Sequence, residues 1–277
     1  MLNETILESE QIDDLATIEI VSIPMLKGAQ ESIACRDIFY MSQSNVTIKM
    51  VRIKLNGCSV MTESGAFYYS KGKIENNVPV GGLTGAMGKI IKGKLTNEKA
   101  FNPVYSGYGE VVLEPTFEHY AIVKLNNESI IVDKGLYFCS IGDINVTPAI
   151  QKNVSSALLG GEGVFQTQIS GSGVVVLQIP VPTSELEIYE LNNERVQVDG
   201  NFALLRSSNI NFSVEGSANG IIGTVTSGEG LLQTFEGTGM VWIAPTAPIY
   251  RKLSLGGMKY LNLSQGGSNN IQWHFTM

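Results

Sequence analysis

The sequence predicts an all-β chain with minor short helices, built from three tandem copies of one β unit. Three observations predict it: a turn-rich composition, two blocks of residues that recur three times in the same order, and apolar strands that stop at proline. The chain has 277 residues with 30 glycines against 9 prolines, and only 16% of it is charged. That balance suits many short strands joined by turns better than long helices. A chain of this length buries roughly 75% of its extended-chain surface, so its core needs neither disulfide nor metal.

The first recurring block begins each unit. Lys54 to Glu75 reads KLNGCSVMTESGAFYYSKGKIE, and Lys124 to Asn145 reads KLNNESIIVDKGLYFCSIGDIN, aligned without gaps at a shift of 70. The third copy, LNNERVQVDGNFALLRSSNIN from Leu191 to Asn211, aligns with the second at a shift of 66. Alternating residues such as Ser129-Ile130-Ile131-Val132, followed by Asp133-Lys134-Gly135 or Asp199-Gly200, predict a β-hairpin. A short helical segment is expected next, at Leu83 to Leu95 and Ala149 to Leu159, whereas Gly216 to Gly223 is too glycine-rich for a good helix.

The second block ends each unit. LTNEKAFNPVYSGYGEVVL (Leu95 to Leu113) matches LGGEGVFQTQISGSGVVVL (Leu159 to Leu177) at nine of 19 positions, and SGEGLLQTFEGTGMVWI (Ser227 to Ile243) is the third copy. Each carries a G-x-G element (Gly107/Gly109, Gly171/Gly173, Gly237/Gly239) and then an apolar strand that stops at proline. One such unit buries too little to stand alone. Three packed about a common axis would share a core and hide their strand edges, giving a pseudo-threefold assembly. The boundaries are 1–45 for an N-terminal extension, 46–115, 116–180 and 181–245 for the repeats, which make one compact domain, and 246–277 for a tail. The end of that tail, NLSQGGSNNIQ, reads as mobile.

At these blocks the chain resembles the altered-inheritance-of-mitochondria-24 family, long known as a domain of unknown function. SALLGGEGVFQTQISGSGVVVLQ and SGEGLLQTFEGTGMVWIAP carry the resemblance, with VRIKLNGCSVMTESGAFYY and ESIIVDKGLYF as the accompanying hairpins, over roughly residues 46 to 245. The resemblance implies a TRAP-like, double-stranded β-helix type of fold in which three repeats form a pseudo-trimer. It supplies no catalytic residues. Mitochondrial members are linked to inner-membrane organisation; without a transit peptide, this chain resembles a prokaryotic member.

The residues offer little catalytic chemistry. Only His119, in the strand-like FEHYAIV, and His274, three residues from the chain end, are available as imidazole bases. The histidine-rich metal centre of double-stranded β-helix enzymes therefore cannot form, and zinc-type hydrolysis is unsupported. The G-x-G elements lack the third glycine of a phosphate loop and lead into strands, so they read as bends or bulges. The turn acids Glu63, Asp133 and Asp199 read as turn formers. Glu98, Glu162 and Glu229 share one repeat position, so a threefold axis would gather them into a ring. A narrow ring would bind a hard cation such as Ca²⁺; otherwise each carboxylate accepts hydrogen bonds at a glycine-rich corner.

Cys35, Cys58 and Cys139 have no C-x-x-C spacing and read as reduced thiols. The acidic start MLNETILESEQIDD lacks the features of a signal peptide, and no apolar run approaches the ~20 residues that span a bilayer. A cytoplasmic protein is expected. Leu83, Met87, Ile90 and Ile91 make one apolar face that could meet an anionic membrane but is expected to pack on the β core. The net charge of −7 argues against phosphate-led nucleic-acid binding. The basic residues that do cluster, Lys89, Lys92, Lys94 and Lys99 with Lys71 and Lys73 upstream, read as a solvated face. The reading is a non-enzymatic structural or interaction protein without cofactor, homo-oligomeric and with a protein partner. The alternatives are an RNA-binding ring, by fold analogy, and a binder of a small ligand or metal through the repeated carboxylates.

Overall fold

The computed structural model describes residues 4–77, 102–150, 165–216 and 231–256. Its strands form one antiparallel sheet of 12 strands. A hairpin comes first, β1 (Thr5–Ile12) and β2 (Ala16–Ile23), turning through Asp13 with φ +44°. Helix α1 (Ser32–Gln43) follows and buries none of its residues. The N-terminal extension is nevertheless integral to the body. β2 pairs along β3 (Ile48–Thr62) from Ala16↔Leu55 to Ile23↔Ile48, and its Ile18 and Ile20 pack with Val51 and Ile53.

Nine further strands complete the sheet with β3, in three groups of the same connectivity. In the first, β3 and β4 (Phe67–Asn77) flank β5 (Val104–Leu113). In the second, β6 (His119–Asp133) and β7 (Tyr137–Ile150) flank β8 (Phe165–Ile179). In the third, β9 (Glu187–Asp199) lies on one side of β12 (Leu231–Ile243), with β10 (Ala203–Ser207) and β11 (Asn211–Gly216) on the other. The expected hairpins are thus corrected. A tight turn joins the first two strands of each group, but the last strand inserts between them, leaving them unpaired with each other.

The reason is geometric. Asp133 pairs with Gln166 and Tyr137 with Leu177, at opposite halves of β8. Extended, that stretch of β8 would be about 36 Å long, while the chain from Asp133 to Tyr137 reaches at most about 14 Å. β8 therefore has to curl back on itself. It does so at Gly171 and Gly173, whose φ values of +126° and +159° lie outside the range open to side-chain-bearing residues. The facing strand bends at the same level through a bulge between Asn126 and Glu128, with Asn127 left-handed at φ +54°.

The first and third groups bend in the same way, at Gly57 with Gly107 and Gly109, and at Asn193 with Gly237 and Gly239. At each turn a backbone bond ties the last strand to the start of the second: Glu114 N–H donates to Ala66 O, Gln178 to Leu136 O and Ala244 to Phe202 O. One group departs. Where the first two carry Gly72 and Gly142 at φ +103° and +108°, the third has Ser208, and its middle strand breaks there into β10 and β11. A Cβ at Gly142 would meet Ser172 O at 2.7 Å, so a serine forces the chain away from the neighbouring strand.

Two strand junctions link the groups: Met61↔Ser140 and Thr62↔Cys139 join the first to the second, and Ile131↔Arg206 and Val132↔Leu205 join the second to the third. No described pairing joins the third to the first. The core follows the junctions. One cluster spans β2, the first group and part of the second (Ile18, Ile53, Leu113, Val176); another spans the second and third (Val132, Ile169, Leu205, Trp242); a third lies within the last group (Val198, Phe212, Phe235).

The short helices expected at Leu83 to Leu95 and Ala149 to Leu159 fall outside the described residues, except that Ala149 and Ile150 are the strand end of β7. Gly216, the first residue of the glycine-rich segment, ends β11. In the tail, Ala247–Gly256 forms helix α2, anchored by Thr246 Oγ1 and Tyr250 Oη donating to Glu185 at 2.5 and 2.8 Å. NLSQGGSNNIQ lies outside the described residues.

Candidate interaction surface

Several sequence-predicted residues fall outside the described residues: the glutamates Glu98, Glu162 and Glu229, the apolar face Leu83, Met87, Ile90 and Ile91, the lysines Lys89, Lys92, Lys94 and Lys99, and His274. Among the described residues, no group of three His, Cys, Asp or Glu side chains could hold a metal. Glu63, Asp133 and Asp199 each sit at the turn after the first strand of a group. Burial raises the carboxyl pKa of Glu63, and also that of Asp133 against the hydrogen bond it receives from Gln166. The three cysteines are free; Cys35 is exposed, while Cys139 is fully buried and burial pushes its thiol far up.

His119 opens β6 beside Lys49 and Glu118. Burial, then the Lys49 charge, depresses its pKa to about 4, partly offset by Glu185. Lys49 Nζ donates to Thr47 O and Phe117 O, both at 3.3 Å, which fixes the ammonium in this corner. As pH falls from 6.5 toward about 4 the unfolded chain takes up a proton at His119 and the folded one does not, so stability present above pH 6.5 is lost with acid. The wild type is therefore expected to lose more melting temperature than His119→Gln between pH 7 and pH 5. The buried carboxyls Glu63 and Glu118 pull the other way in both proteins, so the difference isolates the imidazole. Equal losses would contradict this account.

The junction between the second and third groups holds a polar trio that sequence reasoning missed, with Arg206 and Gln166 buried and Asp133 half-buried. Arg206, 3% exposed, donates to Gln166 Oε1 at 3.2 Å, and Gln166 Nε2 donates to Asp133 Oδ1 at 3.3 Å. The guanidinium lies 5.2 Å from the Phe212 ring centroid, its Nε has no partner, and burial lowers its pKa to about 10. One signal existed in the sequence: the first two copies carry Ser70 and Ser140 where the third carries Arg206.

The residue between the two glycines of each G-x-G element also differs by group. Ser172 Oγ and Thr238 Oγ1 accept the bulge N–H groups of Asn127 and Asn193 at 2.9 and 3.0 Å. Tyr108 occupies the same place in the first group and lays its ring over Gly57, where a Cβ would meet its hydroxyl at 2.8 Å. Tyr108 is 64% exposed, and Phe67, Tyr68 and Tyr69 on neighbouring β4 are exposed too. Tyr108 lies opposite Lys73, four residues along β4 from Tyr69, so it stands apart from the Phe67–Tyr69 run; exposed aromatic side chains are enriched where proteins contact one another. Lys71 and Lys73 extend the same strand.

These features define an all-antiparallel β protein with exposed aromatic residues on its first strand group and no metal cluster among the described residues. The chain belongs to the mitochondrial biogenesis AIM24 family, whose model matches residues 25–246. An uncharacterized protein of Streptococcus pyogenes serotype M6 is 22% identical over 203 residues, covering 70% of this chain and 80% of that protein. The crystal structure of a Streptococcus pyogenes protein superposes with a TM-score of 0.54 at 19% identity, covering 76% of this chain and 94% of the other, which shows a common fold.

Proposed function

We propose that the chain is a non-enzymatic scaffold, in which three copies of one β module, arranged in a pseudo-threefold, TRAP-like way, present a β surface to a protein partner. The repeated bulge, glycine pair and turn-to-strand bond support the reading of three copies. The observation that carries the functional part is the exposed Tyr108, which replaces the small hydroxyl residues of the other two copies. A tyrosine there covers far more area than the bulge beneath it needs, which suits an anchor for another protein. No described helix is long and apolar enough to cross a membrane, and the working compartment proposed is the cytoplasm.

Cross-linking and capture from the native host test this. A different protein, recovered in stoichiometric amounts with the wild type and lost with Tyr108→Ser at unchanged melting temperature, is the expected result. Recovery of nothing but the protein itself, or turnover of a small molecule by the purified chain, would overturn it. For the RNA alternative, single-stranded RNA at low salt is expected to leave the protein's mobility unshifted, because the chain's net charge of −7 repels phosphate.

A further inference from the structure

The two junctions between strand groups are one junction used twice. The shifts of 70 and 66 that align the copies map Thr62 onto Val132 and Cys139 onto Leu205. Thr62 pairs with Cys139, and Val132 with Leu205. The neighbouring pairs, Met61↔Ser140 and Ile131↔Arg206, correspond in the same way. Each junction therefore sets the end of one group's first strand against the start of the next group's second strand, in an identical register.

Each half of this junction also occurs once without its counterpart. The start of β4 is one half: among the described strands β4 pairs only with β5. The end of β9 is the other: among the described strands it pairs only with β12. Burial tells the same story. Tyr137, Phe138, Cys139 and Ser140 on β7, and Ala203 to Arg206 on β10, are all buried at the formed junctions. Their counterparts Phe67, Tyr68, Tyr69 and Ser70 on β4 are all exposed, Tyr68 by 57% and Tyr69 by 46%. Gln197 on β9 is exposed where Ile131 is buried.

Resting on the reading of three copies, and with their pseudo-threefold open between the third group and the first among the described strands, we infer that β9 of one molecule pairs with β4 of a second copy of this chain, head to tail, in the register Val198↔Tyr69, Gln197↔Ser70 and Val196↔Lys71. The unpaired N–H and C=O groups of both edges are satisfied by this addition, and the aromatic start of β4 gains the cover its counterparts have. Charge fits as well. β4 carries Lys71 and Lys73 against one acid, Glu75, and β9 carries Glu187, Glu190, Glu194 and Asp199 against one base, Arg195, whereas β7 has no lysine at the places of Lys71 and Lys73. Because the two surfaces differ, the contact is heterologous, and copies add until a ring closes or a filament grows.

Cysteines at facing positions test the register. In a full-length background with Cys35→Ser and Cys58→Ser, Ser70→Cys and Gln197→Cys are made in separate chains, mixed and mildly oxidised. Directly opposed Cβ atoms in an antiparallel pair lie about 4.5–5.5 Å apart, close enough for a disulfide with slight adjustment. A disulfide-linked dimer of the two chains is expected, together with a ladder when both cysteines share one chain. Tyr69→Lys, a change at an exposed position, is expected to abolish the cross-link with the melting temperature unchanged, and high salt to weaken it. No cross-link in the mixture, or a double variant that closes within its own chain at monomer mobility under dilution, would overturn the inference. A cross-link without any foreign partner in the capture experiment would leave the assembly standing and the scaffold reading without support.

Discussion

Gly171→Ala is expected to unfold much of the second strand group, lowering stability by roughly 3–5 kcal/mol, the combined scale of a strained backbone and an overpacked contact. Two effects act together. The backbone stands at φ +126°, a region that L side chains rarely adopt. A Cβ would also lie 2.0 Å from Asp143 O, a backbone atom of β7 that is held in the ladder and cannot turn aside. Gly237→Ala makes the sharper comparison. Its φ of +133° is nearly the same, but the chain has already parted from β12 at the Ser208 break, and the nearest atom to the added Cβ is Asn209 O at 3.7 Å. Only the backbone strain remains, on the order of 1–3 kcal/mol. Denaturant midpoints for the two variants measure the gap directly. Equal losses would mean that the close approach of β7 to β8 contributes nothing.

Asp133→Ala is expected to destabilise by roughly 1–3 kcal/mol, because it removes the carboxylate that holds Gln166 against the buried Arg206 guanidinium. Replacing both charges, as Asp133→Leu with Arg206→Leu, is expected to recover most of that loss. Burial opposes ionisation of both groups, and the Nε of Arg206 already lacks a partner. The trio therefore costs desolvation that its one-sided hydrogen bonds do not fully offset. Urea unfolding of both variants decides the matter, and a double variant as unstable as Asp133→Ala would refute it. The position is informative because Ser140 fills the same place at the other junction with a single hydroxyl contact, to Tyr137 Oη at 2.9 Å.

How much of this was legible in the sequence depends on the range of the interaction. The bends were legible, since a glycine pair recurring at one place in each copy marks backbone that no other residue can adopt. The turns at Glu63, Asp133 and Asp199 were legible for the same local reason. The hairpins were misread: alternation and a turn motif say that two strands are joined, but not that a third strand, some thirty residues later, inserts between them. The Arg206 trio was missed because a lone arginine in an apolar run reads as solvated until the strands facing it are known.

The sequence by itself determined where the strands, bends and turns fall in each copy, because sterics at glycine and alternation along a strand act within a few residues. Only the tertiary structure decided which edges meet, because strand pairing is a contest between backbone donors and acceptors that are alike at every residue. Burial, curvature and register settle that contest. They leave Tyr68 and Tyr69 in solvent while the matching residues of β7 and β10 lie in the core.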